Sequence, residues 1–174
     1  MFYKRVFGLC TVLMVLISSP ANLRAAPINT YDNSFTVRVP DDWKATPKES
    51  FQHPGGLVLE INPPDVKSGD FGLRIYDKGE SKMEGKKSPS LVLALADHDT
   101  LKKTSPENRP SVVAPAMIGT QTAYTFKSGP KSSRWDLIYF TVGNKIFKAA
   151  CTDSRHATCL DILGTINREG PSGH

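Results

Sequence analysis

The sequence predicts an α+β fold: an antiparallel β-sheet flanked by helices, in one domain behind an N-terminal signal peptide. Three observations predict it. Seven short runs rich in β-branched and aromatic residues are punctuated by Gly, Pro, Asn and Asp. Two stretches, near 89–103 and after residue 154, repeat apolar residues at helical spacing. Residues 1–25 read as an export leader rather than as part of the fold.

The leader comes first. Lys4 and Arg5 form a basic start, Val6 to Ser18 an apolar run, and Ala25 and Ala26 offer small residues for cleavage. The run falls short of the roughly 20 residues that a membrane-spanning helix needs. The mature chain is therefore predicted to begin near Ala26, to be periplasmic or secreted, and to have no membrane span. Of 174 residues, 149 remain, enough for one domain (26–167) with its own core and a loose tail over 168–174. Lys4, Arg5 and Arg24 leave without an acidic residue, so the net charge of +5 falls to +2. That balance argues against a nucleic-acid partner, which calls for a clustered basic surface.

Residues 27–33 read as a polar lead-in. Ser34 to Val39 alternates, with Phe35, Val37 and Val39 on one face of a half-buried strand. Pro40-Asp41-Asp42 stops it and Trp43 plugs the core. His53-Pro54-Gly55-Gly56 is a turn. Leu57 to Ile61 and Phe71 to Tyr76 are further strands, the first ended by Asn62-Pro63-Pro64. Residues 77–88 lack apolar period and read as an exposed loop. Ser88-Pro89 resembles an N-cap with Pro at the first helical position, opening a helix to about Lys103. Leu91, Ala94, Leu95 and His98 are its expected inward stripe.

The second half reads as a meander. Ser111 to Met117 is a strand whose Pro115 assigns it to an edge or a bulge. Gly119 to Phe126, Trp135 to Val142 and Lys145 to Cys151 follow, the last two joined by a tight Gly143-Asn144 turn. A closing helix, capped by Asp153 or Ser154, carries Cys159, Ile162, Leu163 and Ile166 at i, i+3, i+4 and i+7.

Cysteine use fits the address. Cys10 leaves with the leader, and Cys151 and Cys159 remain, an even number for an oxidising compartment. A disulfide between them is predicted, in preference to free thiols or a metal site, since His156 is the only further ligand nearby. It would staple the last helix to the last strand.

Candidate chemistry is sparse. Asp41 and Asp42 with Asp65 or Asp70 could offer oxygens to a hard cation, but no EF-hand spacing exists and a solvated turn is the simpler reading. Asp97-His98-Asp99 places a His between carboxylates, yet neighbouring helical residues point apart. No nucleophile elbow, zinc-hydrolase motif or phosphate loop is found. No catalytic residue, metal or cofactor is therefore assigned. The candidate partner-binding residues are the basic-aromatic strip Lys127, Lys131, Arg134 and Trp135, with Lys82, Lys86 and Lys87 as further charge. An acidic protein surface or an anionic envelope polymer would suit that strip.

The run Phe35-Thr36-Val37-Arg38-Val39-Pro40-Asp41-Asp42-Trp43-Lys44 resembles the opening strand and Pro-turn-Trp of the PsbP/Mog1/DcrB superfamily of α/β/α sandwiches. Ile118 to Phe126 resembles its central strand, with Gly119-Thr120 where a Gly-Gly pair is usual. Trp135 to Ala150 resembles the hairpin that follows. The resemblance implies a mostly non-catalytic role: assembly factor, chaperone-like adaptor, envelope protein or immunity protein. The expected function is thus a non-enzymatic accessory protein of the cell envelope acting through protein contacts around 62–70, 77–88 and 127–134. A periplasmic immunity protein that neutralises a secreted toxin is one alternative. A small periplasmic hydrolase or ligand carrier, with a pocket between sheet and helix, is the other.

Overall fold

The computed structural model describes residues 26–52, 54–66, 72–81, 87–130 and 133–167. The leader over 1–25, the tail over 168–174, His53, Asp70, Phe71, Lys82, Lys86 and Lys131 lie outside the described residues.

Nine strands and two α-helices are described: β1 (Ile28–Asn29), β2 (Thr36–Val37), β3 (Lys44–Pro47), β4 (Leu57–Asn62), β5 (Leu73–Glu80), α1 (Pro89–Thr104), β6 (Ala114–Ile118), β7 (Gln121–Ser128), β8 (Trp135–Val142), β9 (Lys145–Thr152) and α2 (His156–Gly164). Seven strands form one sheet in the order β3-β4-β5-β9-β8-β7-β6, and every neighbouring pair is antiparallel. The chain lays down β3 to β5 as one meander, crosses with α1, and returns from β6 to β9 so that β9 pairs with β5. The α+β class is the one the patterning predicts.

Period-2 alternation sends each strand's side chains to opposite faces. One face carries Leu59, Ile61, Leu73, Ile75, Phe147, Ala149, Ile138 and Phe140, all buried. Cys159, Ile162 and Leu163 of α2 close it, together with Phe35, Val37 and Val39, and Ile166 packs at the margin. Phe147 sits edge-on to Phe35 at 5.1 Å and stacks with Phe140 at 5.7 Å. The other face packs Phe126, Leu137, Tyr139 and Ala150 beneath Ala94 of α1, with Leu93 and Leu101 at the margin.

Several expectations need correction. The lead-in is not merely polar: Ile28–Asn29 pairs with Thr36–Val37 in a separate two-stranded ladder, so the 34–39 run flanks the main sheet rather than joining it. Lys44–Pro47 is an edge strand that its polar composition and Pro47 concealed. Asp77 to Glu80 extends β5 instead of opening a loop, and Lys145 holds Asp77 at 3.1 Å and Asp32 at 2.8 Å. Gly119 and Thr120 turn between β6 and β7 rather than beginning a strand. Gly119 has φ 56°, and a Cβ there would stand 3.0 Å from the Gly164 carbonyl oxygen, so glycine lets the hairpin approach α2.

Helix boundaries hold better than their caps. Ser88 occupies the N-cap position of α1, but its side chain makes no capping bond and its Oγ lies 2.8 Å from that of Ser90. Asp153 and Ser154 belong to a 3-10 turn, and Arg155 takes the position before α2. The inward face of α1 is centred on Ser90 and Ala94, and Leu95 is exposed. The edge position of β6 and the Gly143-Asn144 hairpin stand as predicted, and so do Cys159, Ile162 and Leu163 of the α2 stripe, whereas Ile166 lies beyond the end of the helix at Gly164.

Candidate functional site: a basic, aromatic groove beside α1

One helix cannot cover a seven-stranded face. α1 lies over β7 and β8, and the β5 and β9 side of that face stays open. The result is a groove of 470 Å³. Alternation supplies its floor. Arg74, Tyr76 and Lys78 stand at every second position of β5, Lys148 and Ala150 on β9, Trp135 and Leu137 on β8. Leu101 and Asn108 wall it from the α1 side, and Gly129, Pro130 and Ser133 close one end. Asn108 holds that end, since its carbonyl accepts the Gly129 N–H at 3.1 Å. Gly55 stands at the wall next to Tyr76.

The electrostatics are one-sided. Arg74, Lys78 and Lys148 line the groove and, among the described residues, no Asp or Glu does. Acids lie beside the lining, on the same side of the sheet. Asp97 of α1 accepts from Lys148 Nζ at 2.9 Å and from the Tyr139 hydroxyl at 2.8 Å. Burial pushes the Asp97 carboxyl up, but those two donors outweigh it and hold it below the usual range. Burial, and then the Asp97 charge, push the Tyr139 phenol far above its ordinary value. Lys148 also sits over the Tyr139 ring at 5.7 Å. Arg74 meets Glu60 at 3.0 Å. Burial raises the Glu60 carboxyl, and the bonds from Asn62 and Arg74 lower it further than burial lifts it. Two of the three cations are thus held by carboxylate partners beside the groove.

The structure splits the predicted strip. Trp135 lines the groove and is 46% exposed, so it is not packed inside. Lys127 sits opposite Asp136 in the β7–β8 pair, and alternation directs it away from Trp135. Arg134 is half-buried just before β8, and its Nε is buried with no hydrogen-bond partner among the described residues. Lys131 lies outside the described residues. Arg74, Tyr76, Lys78 and Lys148 were missed because a polar position in an alternating strand reads as a solvent face. The recoverable signal was cation-aromatic-cation at i, i+2 and i+4 on β5.

The remaining candidates separate. Asp97 is not part of an exposed helix end but the ion-pair partner of Lys148. His98 packs edge-on to Phe126 at 5.4 Å, whereas Asp99 faces solvent. His156 pairs with Asp136 at 2.9 Å on the α2 side, so the sheet stands between these two histidines. Asp65 accepts both bonds from Arg155. No cluster of three metal-ligating side chains is found among the described residues. Nor is any described helix long and apolar enough to cross a membrane. Cys151 and Cys159 are bonded, with Cα atoms 6.5 Å apart, and join the end of β9 to α2 on the closed face.

No family model matches the chain, and no curated protein matches it. Solved structures do. The solution structure of cyanobacterial PsbP (CyanoP) from Synechocystis sp. PCC 6803 superposes with TM-score 0.54 at 9% identity, over 82% of this chain and 91% of that one. A Bacteroides thetaiotaomicron protein superposes with TM-score 0.54 at 17% identity over 84% of this chain, which spans 49% of that longer protein. LpqN of Mycobacterium tuberculosis, described as involved in cell envelope biogenesis, superposes less closely, with TM-score 0.44 at 18% identity over 83% of this chain and 87% of that one. The fold is PsbP-like, as the opening Pro-turn-Trp motif implied.

Proposed function

We propose that this chain is a non-enzymatic, extracytoplasmic accessory protein of the cell envelope that holds an anionic ligand in the groove beside α1. The groove carries the proposal. Its volume lies within the roughly 300–1,000 Å³ of small-ligand sites, and charged, aromatic and aliphatic side chains line it together. Its lining offers cations, aromatic rings and aliphatic surface, which is a chemistry of holding. Three described residues of the 127–134 stretch that sequence patterning marked for partner contact, Gly129, Pro130 and Ser133, line one end of it. The Cys151–Cys159 bond and the leader support an address outside the cytoplasm.

The test is site-specific. A photoreactive benzophenone residue replaces Tyr76 in the groove or Val92, which is 51% exposed on α1, in cells that export the protein. Mass spectrometry should find a discrete adduct from position 76 and none from position 92. Equal labelling at both, or none at 76, overturns the groove as the binding site.

A further inference from the structure

We infer that the occupant of this groove is an amphipathic anion: a single carboxylate-type headgroup on an apolar chain. The inference rests on the groove being the ligand site and adds the class of ligand. Its charge is confined to one side. All three cations, Arg74, Lys78 and Lys148, come from β5 and β9. Beside them the lining is uncharged: Trp135 and Leu137 of β8 and Leu101 of α1 give apolar surface, with Asn108, Ser128 and Ser133 as neutral polar groups. A ligand matching both sides carries its charge at one end and its apolar surface at the other.

The backbone beneath the groove argues against an extended peptide. β5 is paired to β4 and β9, β9 to β5 and β8, and β8 to β9 and β7. Apart from the irregularity between Asp77 and Glu80, these strands spend their N–H and C=O groups on one another, so most of the floor shows side chains. A peptide laid there would bury its own amides without ladder partners, a cost that strand addition at a free edge avoids. An amphipathic anion has no such row of amides. It needs charge-assisted donors near one another, and Arg74 and Lys148 stand at diagonal positions of the β5–β9 pair. Glu60, opposite Arg74 in the β4–β5 pair, and Asp97 of α1 hold Arg74 and Lys148 at 3.0 and 2.9 Å, and both cations line the groove. Fixing these cations in advance lowers the ordering cost of binding.

The experiment titrates the purified protein with dodecanoate, with dodecyltrimethylammonium of equal chain length, and with a short Asp/Glu-rich peptide, and follows backbone amide shifts by NMR. Dodecanoate should saturate, bind about tenfold or more tightly than either competitor, and shift Tyr76, Leu137 and Ala150 but not Ile162 or Leu163 beneath α2. Lys78→Gln changes an exposed side chain, and Trp135→Ala a half-exposed one. Each should weaken dodecanoate roughly three- to tenfold with an unchanged far-ultraviolet spectrum. Equal binding of the two amphiphiles removes the headgroup claim and overturns the inference. Preference for the acidic peptide with the same groove shifts also overturns it, while the groove remains the binding site. Shifts confined to the α2 side overturn both.

Discussion

The two faces of one sheet are built to different rules. The face under α2 is closed by a helix, a two-stranded ladder and a disulfide, and its core is almost wholly apolar, from Phe35 to Leu163. The face under α1 has one helix, a smaller core around Phe126 and Tyr139, and the Arg74–Glu60 and Lys148–Asp97 ion pairs, whereas the face under α2 has Leu and Ile at its centre and the His156–Asp136 pair near the start of β8. The same alternation produces both, because each strand sends odd positions one way and even positions the other. The difference teaches where stability and binding reside. Closing one face completely lets the other stay partly open, and an open sheet face lined with cations is a place for a ligand.

The comparison is broken most directly at Phe147. It is fully buried between Phe35 and Phe140 on the closed face. Phe147→Ala should cost about 3–5 kcal/mol, from lost burial plus the cavity left behind. Leu101→Ala, at the margin of the open face, should cost much less, since its site is already partly open to water. Urea unfolding of both variants measures the contrast. Equal losses would mean that the two faces contribute alike.

The disulfide sharpens the same contrast at a smaller scale. Cys159→Ser opens a short ring, whose chain-entropy contribution is about 2.5 kcal/mol. It should lower the thermal midpoint and leave groove binding intact, because the bond lies under α2 and the groove lies on the opposite face. Lost binding at unchanged stability would contradict a purely structural role for this bond.

Much of this design was legible in the sequence, for identifiable reasons. β8 and β9 were readable to within a residue because strong β-formers flank a Gly-Asn turn and Gly143 supplies the positive φ. α2 was readable because its apolar stripe faces a continuous core. β3 was not, since Lys44–Pro47 is an edge strand that keeps its place through pairing with β4 rather than through apolar pattern. The groove was only half legible. Trp135 stood out as an aromatic next to a basic turn, but its partners Arg74, Tyr76 and Lys148 come from strands that the sheet order brings together across about 75 residues of sequence. Alternation alone says that a residue faces outward from its strand. It does not say whether a helix, another strand or open space stands there.

The smallest expected effect concerns Asp97, which links α1 to the open face through Lys148 and Tyr139. Its carboxyl is held below the unfolded value of about 3.9. The sign follows from linkage: a depressed carboxyl stabilises the fold above the unfolded value, and that contribution fades as pH falls through the folded one. Glu60 and Asp32, also held low, act in the same sense. Stability should therefore be level near neutrality and decline below about pH 4. Asp97→Asn keeps an acceptor for the Tyr139 hydroxyl but removes the charge facing Lys148. The partial exposure of the pair limits the loss at pH 7 to about 1 kcal/mol, and the decline below pH 4 should become shallower. Because Asp97 pairs with Lys148 of the lining, the variant also frees Lys148 from its anchor, so dodecanoate affinity should change along with the acid limb of the stability curve. Denaturant midpoints from pH 2 to 7, measured beside the wild type, separate the two outcomes: an unaltered acid limb would place the acid sensitivity in Glu60 and Asp32, away from α1.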